Sequence, residues 1–437
     1  MKRADRVLIG VVCLVLLLVS WVVAVSSKTT SDKQLELMRQ AAMLVKDGIY
    51  IRAVPLLEEA AAYNAAHTQA AEEELKKVYL ALIGNRGFKR KYTELLELQM
   101  SRKNAGPGVF AEAAEYYLSI SRVPEALAVI KAGIGKTGSE DLIELYESNR
   151  YACEMSRTSY DYVAAIHGST VQVQTDGLWG LAGANGVLLI PCVYEKISTF
   201  SGDRAVVLKN GEIYAIDINN NRVAKFHDKA SGLGNYSENR IPVLVDGRWR
   251  RAMADLTLGT MEFERMGMYS GGYAAAKTGG AWGVIDLLAD WLIPAEYDGI
   301  IQDELGKCFA RGAVFVQSGD LVYLLVDGVW VGDAYDDARP FSQEGYAAVK
   351  KNGKWGFIDL SGIVTIGFRF DDALSFGQHL AAVRLGDFWG YVSISGQIVI
   401  EPVFLEAKSF SSGSAPVLTE RGWQFISLLE YKKGASL

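Results

Sequence analysis

The chain has 437 residues, a formal net charge of −6 and an apolar fraction of 50%. This length accommodates two folded domains and an anchor, and the high apolar fraction with only 9 prolines excludes a disordered chain. The charges are spread along the chain without a basic stripe, so the sequence offers no electrostatic support for nucleic-acid binding.

The first predicted element is an apolar run over residues 7–25, whose length is close to the ~20 residues that cross a bilayer as a helix. Three basic residues precede it, and the positive-inside rule therefore places the tail 1–6 in the cytoplasm. We predict a single-pass signal-anchor helix in the cell membrane, with the bulk of the chain extracytoplasmic. A cleaved signal peptide ending at Ala24-Val25-Ser26 is the alternative.

Residues 32–151 are rich in Ala, Leu, Glu and Lys, and their apolar residues recur at helical spacing, as at Leu35, Met38, Ala42 and Val45. Short joints that contain Gly or Asn separate the periodic stretches, and one such joint spans Gly133 to Gly138. The predicted helices cover about 32–47, 50–64, 67–83, 88–101, 108–120, 123–134 and 139–150.

Two of these helices share a pattern. Ala53 and Leu57 in the first correspond to Ala126 and Ile130 in the second, 73 residues later, which is close to two periods of ~34. The pattern resembles tetratricopeptide-type repeats, and the resemblance implies three helix pairs with a concave peptide-binding face. The alternative is a stalk or platform that holds the following domain off the membrane.

The C-terminal part repeats itself about every 34 residues, and six Trp and two Tyr residues are taken as markers of eight units. A fixed period of this size indicates a solenoid, a propeller or an array. One gap between markers is longer than the rest, and we predict a loop insertion on one face at residues 302–312. The markers are Trp179-Gly180, Tyr214, Trp249, Trp282-Gly283, Tyr323, Trp355-Gly356, Trp389-Gly390 and Trp423.

One well-preserved unit starts at Tyr335, where an Ala-Ala-Val segment, an Asn-Gly turn, a Trp-Gly-Phe-Ile segment and an Ile-Val-Thr-Ile segment follow one another. β-branched and aromatic residues dominate the segments, and Asn-Gly is a strong hairpin signal. We therefore predict three short strands in each unit. The Gly after the Trp is expected to allow a bulge or the close approach of a neighbouring backbone.

The Trp-Gly pair recurs together with a Phe-Ser pair and a Tyr/Phe-Asp pair at fixed offsets over residues 160–432. This combination resembles the WG-repeat family of β-repeat proteins. The resemblance implies a bacterial, often surface-exposed protein whose role is interaction, without an enzymatic activity. Eight units fit either a closed, propeller-like ring or an open β-solenoid, so the predicted fold is α+β and multidomain.

No catalytic constellation, cofactor motif or metal-binding His pair emerges from the sequence, so the predicted function is non-catalytic recognition or scaffolding of other proteins. A carbohydrate- or peptidoglycan-binding module is the alternative. The repeated Trp residues are expected to pack between units, although exposed Trp faces also stack on sugars. Arg250, Arg251 and the insertion lie off the repeat consensus and are the predicted ligand contacts.

Acidic residues recur once in each repeat, most clearly at Asp336-Asp337 and Asp371-Asp372. Recurrence in every unit favours a structural role, such as accepting backbone N–H groups in a turn, over a weak calcium site. Cys153, Cys192 and Cys308 lie outside the predicted anchor at irregular spacing, so no disulfide framework is indicated.

Overall fold

The computed structural model describes residue 20, residues 28–226 and residues 230–431. The predicted anchor over 7–25 lies outside the described residues except for Ser20. Among the residues that are described, no helix combines the length and hydropathy needed to cross a membrane. The chain forms two compact units, Met1–Tyr146 and Glu147–Leu437.

The first unit is helical, as the apolar periodicity predicts. Residues 28–46 are helical, and their bounds agree with the prediction to within a few residues. The short turns between helices place consecutive helices side by side, so that their apolar faces share one core. The other helices are Tyr50–Ala62, Thr68–Ala81, Phe88–Ser101, Pro107–Ser119, Val123–Thr137 and Glu140–Asn149.

The break predicted from Gly133 onward is wrong, because the helix Val123–Thr137 continues through it. A Cβ on Gly133 would lie 2.7 Å from Leu142 Cδ1 and 2.8 Å from Phe110 Cβ, so this glycine permits close helix packing. The helix ends instead at Gly138, which has a φ of 64° and donates its N–H to Ile134 O at 2.8 Å.

The second unit consists of eight antiparallel sheets that follow one another in chain order. We number them blades 1 to 8, and we call their strands inner, second, third and outer. Seven blades have four strands and blade 3 has three. The prediction of three strands per unit is therefore wrong for seven blades. The sequence does not reveal the inner strand, because most copies of it have two residues, too few to show an alternating pattern.

The strand bounds repeat from blade to blade. The inner strands are Tyr162–Val163, Lys196–Ile197, Ala230–Leu233, Arg265–Met266, Gly299–Ile300, Asp337–Ala338, Asp372–Ala373 and Glu406–Ala407. The second strands are Thr170–Thr175, Ala205–Lys209, Arg240–Val245, Tyr273–Thr278, Ala313–Ser318, Tyr346–Lys351, Leu380–Leu385 and Ser414–Thr419. The third strands are Leu178–Gly183, Glu212–Ile216, Arg248–Met253, Ala281–Asp286, Leu321–Val326, Lys354–Asp359, Phe388–Ser393 and Gly422–Leu428.

The outer strands differ in length. Blade 8 takes its outer strand from Cys153–Met155, the first strand of the unit, and a 3₁₀ turn at Leu429–Tyr431 ends the described fold. The outer strands of the other blades are Leu188–Tyr194, Arg222–Lys225, Trp291–Tyr297, Val329–Tyr335, Val364–Phe370 and Ile398–Phe404.

The ring is closed, which decides between the two predicted architectures. Cys153 pairs with Leu428 and Met155 with Ile426, so the start of the unit completes its last blade. Blades 8 and 1 also share a core in which Trp423 lies 5.8 Å from Tyr162, ring centroid to ring centroid. The unit is therefore an eight-bladed β-propeller, a closed arrangement that leaves only short sheet edges.

The close backbone approach predicted at the Trp-Gly pair is confirmed. A Cβ on Gly390 would lie 2.5 Å from Ile400 O, and one on Gly356 would lie 2.7 Å from Ile366 O. In both blades the pairing of the third and outer strands shifts register at this glycine. The glycine lets a seven-residue outer strand pass the bulge without a steric clash.

Blades that lack the Trp-Gly pair tend to have a shorter outer strand. Arg250 stands at the glycine position of blade 3, and only isolated bridges remain there in place of an outer strand. Gln424 stands there in blade 8, whose outer strand has three residues. Blade 5 is the exception, because Tyr323 at this position faces an outer strand that carries Gly332 with a φ of 72°.

Tyr214 and Tyr323 are not at the Trp position, contrary to the sequence-based assignment. Trp282 pairs with Lys277, and the corresponding residues in blades 2 and 5 are Ile213 and Val322, which pair with Leu208 and Gln317. Each Tyr therefore replaces the glycine of the pair. Each Tyr lies one residue after the Trp position. The sequence alone does not fix the hairpin register, so it does not distinguish such a Tyr from a replacement of the Trp.

The predicted boundaries of the domains also differ from those of the units. The sequence places the end of the helical domain at 151 and the start of the β domain at 160, whereas the units divide after Tyr146. Residues 153–155, which the prediction leaves in the linker, form the closing strand of the propeller.

Candidate functional site

One face of the propeller is formed by the loops that join each inner strand to the second strand, and we call it the axial face. In blades 1 and 7 these loops span 164–169 and 374–379. The corresponding loop of blade 5 spans 301–312 and is about twice as long. This axial loop is the insertion that the long gap between repeat markers predicts.

The axial loop reaches beyond the blades next to it. Asn235 of blade 3 donates its Nδ2–H to Leu305 O at 3.0 Å, and Met268 of blade 4 donates its N–H to Gly306 O at 2.9 Å. On the other side, Lys408 Nζ of blade 8 donates to Glu304 Oε2 at 2.6 Å. Because this loop bonds to blades 3, 4 and 8, it crosses the central axis of the propeller. The inner strands therefore surround that axis.

A tight turn stiffens the axial loop. Asp303 Oδ1 accepts the N–H groups of Leu305 at 3.0 Å and Lys307 at 2.8 Å. Asp359, in the hairpin between the third and outer strands of blade 6, accepts the N–H groups two and four residues further on in the same way. The axial loop therefore reuses a turn found elsewhere in the propeller, and Leu305 at its tip is buried.

Burial controls the ionisable groups around the axial loop. It raises the pKa of Asp303 and of Glu304, in spite of the nearby Lys307 and Lys408 ammonium groups. It raises the pKa of the Cys308 thiol to about 12, so this cysteine is not a nucleophile at neutral pH. Burial and then the charge of Lys307 lower the pKa of His167 to about 4.

A pocket of about 650 Å³ opens beside the axial loop on the axial face. Loops of blades 1, 4, 6, 7 and 8 line it together with the axial loop. Phe341, Phe376 and Phe410 contribute apolar surface to it, and each of these rings is otherwise buried in the blade cores. They are the aromatic residues of the recurrent Phe-Ser position, so the repeat itself supplies an apolar lining around the axis.

Polar groups complete the pocket. The hydroxyls of Ser409 and Ser411 belong to its lining, as do charged side chains of both signs, including Arg339 and Glu344. Ser342 Oγ is buried and has no hydrogen-bond partner among the described residues. A buried hydroxyl without a partner is costly in a folded protein, and this one belongs to a residue of the pocket lining.

The two predicted arginine contacts lie elsewhere. Arg250 and Arg251 are on the third strand of blade 3, where Arg250 pairs with Glu262 and Arg251 donates to Leu287 O of blade 4. Neither residue lines the axial pocket. Their departure from the consensus reflects the missing outer strand of blade 3, whereas the insertion does line the pocket.

The repeated Trp residues lie between blades. Trp355 is 2% exposed and packs with Ala381 and Val383 of the next blade, and Trp389 packs in the same way on blade 8. Trp179, Trp249 and Trp282 are partly buried against the following blade, and Trp423 packs on blade 1. These side chains belong to the inter-blade cores of the propeller.

The recurrent carboxylates hold the hairpin turns. Asp336 Oδ2 accepts the N–H of Gly353 at 3.0 Å, and Asp371 Oδ2 accepts that of Gly386 at 2.8 Å. The same bond joins Asp298 to Gly319 at 2.8 Å. Each bond ties the start of a blade to the turn between its second and third strands. Within the described ranges no group of three His, Cys, Asp or Glu side chains could hold a metal ion.

The model of the WG containing repeat matches five stretches of the second unit: 179–212, 282–303, 334–355, 355–387 and 389–423. These five stretches of the second unit therefore carry the WG-repeat pattern. The unmatched stretches between 213 and 281 and between 304 and 333 contain Tyr214, Arg250 and Tyr323, which replace the glycine of the pair in blades 2, 3 and 5. No curated protein matches the chain.

Several solved structures show a distant likeness to this chain. The WD40 domain of Neurospora crassa Pan2 is 8% identical, with 66% of this chain and 97% of that one covered and a TM-score of 0.36. The β-propeller domain of Cps50 (Swd1) from Myceliophteria thermophila is 10% identical, with coverages of 55% and 99% and a TM-score of 0.34. A eukaryotic initiation factor is 9% identical, with coverages of 63% and 87% and a TM-score of 0.41.

Proposed function

We propose, from the premise that the second unit is a WG-repeat propeller, that this chain is a non-catalytic recognition or scaffold protein that binds another protein at its axial face. The axial pocket carries the proposal. It is the place where the repeat departs from its own pattern, through the insertion over 301–312, and where side chains of six blades meet.

The character of the pocket favours a protein as the partner. Its lining combines buried phenyl rings with hydroxyls and charges of both signs, which is the mixture found where a segment of one protein docks on another. The lining also includes Ser342, whose buried hydroxyl has no hydrogen-bond partner among the described residues. The residues of the pocket offer no nucleophile paired with a base, which supports recognition over catalysis.

We further propose that the apolar run over 7–25 anchors the chain in the cell membrane, with the bulk extracytoplasmic and the tail 1–6 in the cytoplasm. Its length and the three preceding basic residues support a single-pass orientation of this kind. The propeller is then displayed on the outer side of a bacterial cell membrane, where it can reach other proteins of the envelope.

The helical unit provides a second candidate surface under the same proposal. Its helices follow one another with short turns, and Ala60 and Gly133 are small residues at tightly packed positions. These features support the tetratricopeptide-like assignment and a peptide-binding concave face. A stalk that carries the propeller is the alternative role for this unit.

The test is co-precipitation of partners by the full-length protein from its own envelope fraction after mild cross-linking. Gln343 is exposed at the pocket, so Gln343→Trp fills the pocket without disturbing a core. The matched control is Gln397→Trp, on an exposed hairpin of blade 7 outside the pocket. We expect a protein partner that Gln343→Trp loses and Gln397→Trp retains. A partner retained by both variants, or no partner at all, overturns the axial assignment.

A further inference from the structure

Trp330 differs from the other tryptophans of the propeller. It lies on the outer strand of blade 5, and it alone among the tryptophans of the described residues is exposed, at 54%. The repeat tryptophans lie on third strands, buried or partly buried between blades. Packing does not account for the size of this side chain, because most of the apolar area of its indole remains in water.

The fold does not require a tryptophan at this position. Val331 pairs with Leu324 as Ile190 pairs with Leu181 in blade 1. The residue before Ile190 is Leu189, and the residue at the same place in blade 4 is Leu292. These leucines are 44% and 46% exposed, so a smaller apolar side chain serves the outer strand of a blade equally well.

Two tyrosines hold the indole of Trp330 in place. The ring centroid of Tyr323 lies 5.2 Å from that of Trp330 at an interplanar angle of 87°. Tyr297 of blade 4 lies 6.4 Å away at 64°. Both contacts are edge-to-face, which fixes the orientation of a ring at little cost in conformational entropy. The indole is thus a pre-oriented flat surface at the outer crevice between blades 4 and 5.

Hydrogen-bonding groups surround this flat surface. A crevice of about 410 Å³ beside the indole is lined by Ser318, Asp333 and the backbone of Gly332. The outer strand is the edge of its sheet, so its outward-facing backbone groups are free for a ligand. Lys351 Nζ donates to Asp333 Oδ2 at 2.7 Å, which balances the charge of the carboxylate beside the crevice.

We infer that Trp330, Tyr323 and Asp333 form a subsite for a neutral hexopyranose unit of an oligosaccharide. A sugar ring presents a face of C–H bonds that are weakly positive, and these are attracted to the negative face of an indole. Its hydroxyl groups lie around the ring, where a carboxylate, a serine hydroxyl and free backbone groups can bond them. An apolar peptide side chain would find no enclosed apolar pocket here, since polar groups border the indole.

The test uses the purified full-length protein and three soluble neutral probes: hexa-N-acetylchitohexaose, cellohexaose and maltohexaose. Binding is measured by titration calorimetry and by the tryptophan emission. We expect one probe to bind with a Kd tighter than about 10 mM and with a shift in emission, and Trp330→Leu to weaken binding at least about tenfold and abolish the shift. Leu is the residue that two other blades carry here, so this variant is expected to keep the fold. Leu292→Ala is the control and should bind as the wild type does.

Two results overturn the subsite. They are the absence of binding by all three probes up to about 10 mM and equal binding by Trp330→Leu and the wild type. The axial variant Gln343→Trp should bind the saccharide normally. Failure of the subsite and failure of the axial proposal are therefore distinguished in the same set of proteins.

Discussion

Replacing the glycine of a Trp-Gly pair with alanine should disrupt the pairing of the third and outer strands of that blade. A Cβ on Gly390 would lie 2.5 Å from Ile400 O, 2.7 Å from Pro402 N and 2.8 Å from Glu401 C. All three are backbone atoms, so no side-chain rotation relieves the overlap. The outer strand must move away by about 1 Å at this point, since ordinary carbon contacts are about 3.5–4.0 Å long.

The expected loss is at the upper end of what overpacking costs, about 3 kcal/mol in the free energy of unfolding. Gly390→Ala is compared with the wild type by urea unfolding followed through tryptophan fluorescence. The matched control is Gly367→Ala, on the outer strand of blade 6, because a Cβ there meets nothing within 4 Å. This control should be unchanged or more stable by up to about 1 kcal/mol. Equal stability of Gly390→Ala and the wild type would refute the steric reading of the repeat glycine.

Three further predictions concern stability. His167 has a folded pKa of about 4, below its unfolded value of 6.5, so its contribution is present above pH 6.5 and is lost as the pH falls toward 4. His167→Asn should therefore reduce the acid dependence of the unfolding free energy in that window by about 3 kcal/mol. Arg102→Ala leaves the Glu72 carboxylate, whose side chain is 3% exposed, without its cation. Chemical denaturation should show that the free energy of unfolding falls by about 3 kcal/mol. Lys103→Ala, at a neighbouring exposed residue, is the control and should leave this free energy unchanged. Ser156→Pro removes the N–H that donates to Phe425 O at 2.7 Å and the hydroxyl that accepts from Phe425 N at 3.0 Å. Because these bonds help to close the ring, the free energy of unfolding should fall by about 2 kcal/mol, measured as a lower midpoint of urea unfolding.

The sequence predicts the number of blades because the Trp position serves the same contact in most of them. Trp355 and Trp389 pack on the next blade, and that contact has to be made once in every unit. The carboxylate before the inner strand is predictable for the same reason, since it ties down one turn per blade, as Asp336 and Asp371 do. A physical requirement that recurs at a fixed period leaves a periodic trace in the residues.

Features that depend on long-range assembly leave no such trace. The closing strand Cys153–Met155 has three residues, and its partner lies at the other end of the unit. The axial pocket is built from loops of six blades. The recurrent Phe-Ser position and the length of the insertion leave a trace in the sequence, but neither shows that these loops meet in one pocket. Trp330 is a single residue that breaks no periodic rule, so its exposure became visible only with the strand register and the packing of Tyr297 and Tyr323 around it.

The most direct test of the axial claim places a photo-activated cross-linking amino acid at position 343 of the full-length protein in its native cells. The same amino acid at position 397 serves as the control. We predict a discrete protein adduct after irradiation at 343 and none at 397, which would identify the partner in the same experiment. An adduct that forms equally from both positions, or from neither, would contradict recognition of a protein at the axial face.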